Sequence, residues 1–108
     1  MPPLCCMLWE MEVSFADERL DRLETDPAYT AGFSDSVVRA FRLRMGYIRA
    51  ADDERAFYGM KSLHFEKLKG SRQHQHSMRL NNQYRLIVEI TGRANNKVLT
   101  VIDIADYH

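Results

Sequence analysis

The last three positions of the sequence, Asp106-Tyr107-His108, place a carboxylate, a phenol and an imidazole side by side. Histidine titrates near neutrality and can give or take a proton. His108 also carries the α-carboxylate of the chain as given, and a negative group beside an imidazole favours its protonated form. That suits a general acid, or a base of raised pKa; the other reading is a frayed tail. Arg85 stands in an apolar run, between Tyr84 and Leu86. Its planar fork of donors matches phosphate, but a strand arginine paired with Glu89 or Glu66 would explain it equally. Gln73-His74-Gln75-His76 is a His-x-His run. On a strand both imidazoles would point to one side, as a metal site needs. No cysteine or carboxylate stands nearby to complete a ligand set, so the run reads as a polar turn entering a strand, and no metal is expected. Cys5 and Cys6 are adjacent, which suits neither a structural disulfide nor a metal. Phosphate-binding loops, Gly-x-Ser-x-Gly elbows and paired Cys-x-x-Cys motifs are absent. No cofactor is expected.

These residues need elements to position them. Glu12 to Phe15 reads as a short strand. Asp17 is a good N-cap, and Leu20 and Leu23 line one helical face up to about Glu24. Asp26-Pro27 ends that helix, because proline disfavours helix at the residue before it. Ser34 caps a longer helix to about Ala51. Its apolar positions Val38, Phe41, Met45 and Ile48 form one stripe, with Arg39, Arg42 and Arg49 largely off it. The period then changes. Leu63 and Phe65 alternate with His64 and Glu66, Gly70-Ser71 turns the chain, and Met78 and Leu80 alternate with Ser77 and Arg79. Asn81-Asn82-Gln83 is a hairpin connection. Tyr84, Leu86, Val88 and Ile90 share one face, with Arg85, Ile87 and Glu89 on the other. Gly92 to Asn96 is a second turn. Val98 to Ile104 is apolar on both faces apart from Thr100 and Asp103, as in a well-covered interior strand.

The predicted fold class is α+β: an N-terminal strand and two helices on one face of an antiparallel sheet of four to five strands. Alternation along the strands then leaves His64, Glu66, Ser77, Arg79 and Arg85 on the uncovered face, where an anionic substrate could sit. With 108 residues, 45% hydrophobic and 28% charged, the chain is one domain. Disorder, a collagen repeat and a disulfide scaffold are excluded by that composition. No apolar stretch approaches the roughly 20 residues that span a bilayer. The apolar run Met1 to Trp9 has no basic residue before it and makes a poor signal peptide, so a cytoplasmic location is expected, with no membrane partner. Residues 1–10 read as an N-terminal extension and residues 11–108 as the domain. The formal net charge is zero. Residues 61–97 nevertheless hold eight basic side chains against Glu66 and Glu89. Such a local excess can attract a polyanion, or can simply be a solvated face.

Four short runs, taken together, carry a resemblance. Leu68-Lys69-Gly70-Ser71-Arg72, Ser77-Met78-Arg79-Leu80-Asn81, Gln83-Tyr84-Arg85-Leu86 and the terminal Asp106-Tyr107-His108, in this order and spacing, resemble the HigB branch of the RelE toxin superfamily. Phe15 to Leu20 is similar to that family's opening strand and helix. The resemblance covers Met11 to His108 and implies a RelE-like fold, agreeing with the pattern above. It further implies a toxin that cleaves messenger RNA on the ribosome without a metal and is restrained by a cognate antitoxin, usually a helix-turn-helix protein encoded beside it. The family's functional residues map onto Asp106, Tyr107, His108, Arg85 and Lys69, with His64 as the candidate for a further histidine on the strand before Lys69. Arg72, Arg79 and Lys67 are expected to hold RNA beside them. Two other functions fit the same outline: a gyrase poison of the ParE type, and a catalytically inactive module that only binds a partner. The terminal Asp-Tyr-His argues against the gyrase poison, which acts by binding and needs no catalytic histidine.

Overall fold

The computed structural model describes residues 12–51, 55–68, 74–92 and 97–106. Strand β1 spans Glu12–Phe15, helix α1 Glu18–Thr25, helix α2 Asp35–Ala50 and the single-turn helix α3 Arg55–Tyr58. A 3-10 turn at Lys61–Leu63 precedes β2 (Glu66–Lys67), β3 (Gln75–Arg79), β4 (Tyr84–Thr91) and β5 (Val98–Asp106). The expected turn at Gly70-Ser71 and most of the one after Gly92 lie outside the described residues.

Helix α1 begins as its sequence dictates. The Asp17 carboxylate accepts the Arg19 backbone N–H at 2.9 Å, satisfying one of the donors that a helix start leaves open. The Arg19 guanidinium grips the same carboxylate at 2.8 Å. That hydrogen bond, first among the causes, holds the Asp17 carboxyl below its ordinary pKa. A depressed carboxyl contributes stability above its unfolded pKa of about 3.9 and loses it as pH falls through the folded value. The Tm difference between wild type and Asp17→Ala is therefore expected to narrow below about pH 4, measured as paired melts across pH. Ser34 stands at the N-cap of α2, but its side chain makes no capping bond there; its hydroxyl lies 3.2 Å from that of Ser36.

The predicted stripe of α2 is the core. Phe41 and Ile48 are wholly buried and Val38 and Met45 nearly so, together with Leu20 and Leu23 of α1. They pack on Met78, Leu80, Leu86, Val88, Leu99, Val101 and Ile104 of the sheet. Arg42 ties the two helices together: its guanidinium donates to the backbone carbonyls of Leu23, Asp26 and Tyr29 at 3.1, 2.9 and 3.2 Å. The Leu23 carbonyl is one that the end of α1 leaves open, and the other two belong to the turn that follows.

The sheet order is β1-β5-β4-β3-β2. β2 to β5 pair antiparallel, and β1 joins β5 in parallel. β5 is thus an interior strand, as its two-sided apolar pattern indicated. A bulge between Ile87 and Val88 leaves Ile102 without an opposite residue, so that Asp103 faces Ile87 and Val101 faces Val88.

One local expectation is overturned. Leu63 to Glu66 does not run as a strand. Lys61–Leu63 is a 3-10 turn, and His64 ends it in the left-handed conformation, with φ 46° and ψ 51°. Leu63 and Phe65 are both buried. The turn, rather than period-two alternation, brings them to the core, and β2 begins only at Glu66.

Candidate nucleic-acid interface

The hairpin between β3 and β4 sets the site. Asn81 Oδ1 accepts the backbone N–H groups of Gln83 and Tyr84 at 2.9 and 2.8 Å, which closes the turn from within. Leu80 N donates to Tyr84 O at 3.0 Å, so Leu80 and Tyr84 form a hydrogen-bonded pair. The next pair inward, Arg79 and Arg85, is then of the close, non-hydrogen-bonded kind. Two arginines stand directly opposite each other on one face of the sheet. Like charges in that arrangement are unfavourable. Two planar donor forks side by side are also what a phosphate group can bridge. Both guanidinium-bearing residues are partly buried. Arg79 donates a terminal N–H to Asn82 Oδ1, and Arg85 faces Ala105 across β4 and β5.

This face points away from the helices and carries Glu66, Ser77, Arg79 and Arg85, as alternation predicted. Its centre is not bare. Ile87 is 0% exposed and Ser77 2%, although neither belongs to the cluster under the helices.

Asp106 lies elsewhere. It pairs with Tyr84, whose ring packs against the core and meets Phe33 edge-on at 5.9 Å. Alternation sends Asp106 and Arg85 to opposite faces. Gln83 Nε2 donates to Asp106 Oδ2 at 3.1 Å, which ties the hairpin to the end of β5. Asp106, Arg79 and Arg85 therefore share one end of the sheet rather than one face, while Lys67 lies further along β2. His108, Tyr107, Lys69 and Arg72 lie outside the described residues.

His64 is not on a strand, which corrects the expected placement. Continuing the β2–β3 register by two residues would set it opposite Arg79, but its backbone has already turned out of the ladder. It is exposed. Left-handed backbone is unfavourable for a residue with a Cβ by about 1–2 kcal/mol, and glycine relieves it at a comparable entropic cost. His64→Gly is expected to leave stability within about 1 kcal/mol of wild type by chemical denaturation, so a loss of activity in that variant would report on the imidazole. Lys67 is exposed on β2, opposite His76.

The two imidazoles of the His-x-His run go to different partners. His76 stacks on Phe65, with centroids 4.7 Å apart and planes at 4°. His74 Nε2 lies 3.8 Å from Glu89 Oε1. Among the described residues no three metal-ligating side chains gather, and no helix is long and apolar enough to cross a membrane.

Sequence reasoning missed Arg44. Its Nε donates to the backbone carbonyl of Arg79 at 2.9 Å. Thirty-five residues separate the two, and no local pattern announces such a contact. The opposition of Arg79 and Arg85 was within reach, because the two are equidistant from Asn82 at the centre of the three-residue turn.

A mixed sheet with helices on one side and paired arginines at one end defines a small α+β domain suited to an anionic ligand. The chain belongs to the HigB-like family of RelE-like toxins of type II toxin–antitoxin systems, whose family model matches residues 13–108. It is a type II toxin of that family, and the family implies a cognate antitoxin. No curated protein matches the sequence. Among solved structures, it is similar to a YoeB/ParE toxin from Agrobacterium tumefaciens, with a TM-score of 0.61 at 16% identity over 91% of this chain and 100% of that one. The YoeB dimer from Staphylococcus aureus gives a TM-score of 0.45 at 15% identity, covering 92% and 98%. A conserved hypothetical protein of Helicobacter pylori gives 0.49 at 13%, covering 90% and 94%. At these identities the first likeness shows the shared fold alone.

Proposed function

We propose that this toxin is an endoribonuclease that cuts messenger RNA on the ribosome and so stops translation. The observation that carries this reading is the opposition of Arg79 and Arg85 at one end of the sheet, in a chain of the HigB-like family. RNA supplies its own nucleophile. The 2′-oxygen attacks the adjacent phosphorus, the bond from phosphorus to the 5′-oxygen breaks, and a 2′,3′-cyclic phosphate and a 5′-hydroxyl result. The protein has to take the 2′-hydroxyl proton, stabilise charge on the phosphoryl oxygens and return a proton to the leaving oxygen. Arg85 with Lys69 holds the phosphate, and Arg72, Arg79 and Lys67 hold the flanking backbone. His108 is one proton-transfer group and His64 the second. Tyr107 orients His108 or stacks on a base, a contact worth about 1–3 kcal/mol. Asp106, held by Gln83, orients an imidazole or the 2′-hydroxyl. No step calls for a metal. The ribosome presents the message in a reactive geometry, which is a positioning contribution.

The working unit is residues 11–108, with residues 1–10 an extension. The site of action is the cytoplasm, and the antitoxin is a helix-turn-helix protein. The test is induced expression with mapping of RNA 5′ ends. New 5′-hydroxyl ends within translated messages, absent when His108 is removed, are the expected result. Growth arrest without such ends, accompanied by inhibited supercoiling in vitro, would assign the toxin to gyrase instead.

A further inference from the structure

We propose that Arg44 is a positioning residue for the arginine pair: it holds the backbone of Arg79 where β2 has run out, and thereby keeps the Arg79 guanidinium abreast of Arg85. The inference rests on the reading of that pair as the RNA phosphate grip.

The register makes the case. Leu68 N donates to Gln75 O at 2.9 Å, and Leu80 N to Tyr84 O. Along β3 the backbone groups of Gln75, Ser77 and Arg79 therefore point toward β2, and those of His76, Met78 and Leu80 toward β4. β2 supplies partners only as far as Ser77, opposite Glu66. The residue that would serve Arg79 is His64, and its left-handed turn removes it from the ladder. A strand carbonyl without its ladder partner needs another donor. Arg44 reaches across from α2 and supplies one at 2.9 Å.

The other arginines of α2 show what this contact is not. Arg42 is spent on the carbonyls of Leu23, Asp26 and Tyr29. Arg49 is neutralised by Glu24, at 2.6 Å. Arg44 is partly buried and faces no carboxylate in any ion pair among the described residues; its companion is the Tyr47 ring, at 5.9 Å. Burial is the largest influence on its guanidinium and pushes its pKa down; Tyr47 opposes this, and the positive Arg79 adds to it. A partly buried cation set beside Arg79 is a poor choice for stability alone. It is a sensible one if the end of β3 has to be rigid against the mutual repulsion of Arg79 and Arg85.

The test is a double-mutant cycle read by binding of a 2′-O-methyl RNA oligonucleotide, which lacks the nucleophile and is not cut. Arg44→Met is expected to weaken binding about 3- to 10-fold, the equivalent of one ordinary hydrogen bond. Arg79→Gln is expected to weaken it further and to lower the slope of log K against log salt by about 0.7, the value for one single-strand phosphate contact. In the Arg79→Gln background, Arg44→Met is expected to change nothing, since its effect passes through Arg79. Arg44→Lys keeps a charge and a donor and should restore part of the binding, while Arg49→Gln should change it less than about twofold. Arg44→Gln serves if the Met variant does not fold. Additive effects would overturn the proposal by showing that Arg44 touches RNA itself. A lowered Tm with unchanged affinity would overturn it by showing a purely structural role. If Arg85→Gln weakens binding while Arg44→Met does not, only the role of Arg44 falls. If neither Arg79→Gln nor Arg85→Gln weakens it, the phosphate grip falls as well.

Discussion

Arg85→Ala is expected to slow RNA cleavage by about 10²–10³-fold, the range for removing one preorganised donor to a developing oxyanion. The residue is partly buried on β4, with Arg79 on one side and Ala105 on the other. A guanidinium held in a partly dry setting next to a second one strengthens both when an anion arrives. Arg85→Lys keeps the charge but loses the fork, and should fall between wild type and Ala. The fold should persist, because removing one of two opposed cations relieves a repulsion on that face. Cleavage rates on purified ribosomes programmed with a defined message, alongside far-UV circular dichroism, decide the matter. Full activity in a folded Arg85→Ala protein would remove the phosphate grip from the mechanism.

His108→Ala should have the larger effect, about 10²–10⁴-fold on the cleavage rate, as for a general acid or base. The two losses should differ in kind. Without Arg85, both binding and the chemical step suffer, so KM rises as kcat falls. Without His108, the RNA still meets the arginines, and the loss falls on kcat with KM little changed. The pH profile should lose one limb in the His108 variant and keep both, at reduced height, in the Arg85 variant. A tag fused after His108 should mimic the substitution. Wild-type rates and an unaltered profile from a folded His108→Ala protein would leave proton transfer to other groups.

What the sequence disclosed divides along physical lines. The stripe of α2, the Asp17 cap and the alternation of β4 are each set by near neighbours, and all three are present in the structure. The stretch from Leu63 to Glu66 misled because apolar residues two apart fit either a strand or a tight turn. Here the turn placed Leu63 and Phe65 in the core and left His64 to absorb a positive φ. The parallel docking of β1 beside β5 depends on residues more than eighty positions apart, and no local pattern encodes it. The same holds for the bond from Arg44 to Arg79. At the site, the type and spacing of the arginines were legible, and their opposition follows from the hairpin centred on Asn82. The register also sets Asp106 and Arg85 on opposite faces at one end of the sheet.

The place of β5 in the sheet has a consequence for how such a protein is made. It lies between β1 and β4, so the earliest strand finds its neighbour only after nearly everything else has been synthesised. While the ribosome is still translating Val98 to Asp106, β1 and β4 have nothing to bridge them, and pairing between such distant segments is slow to form. The five-stranded sheet is thus incomplete until the last strand is free to insert between β1 and β4.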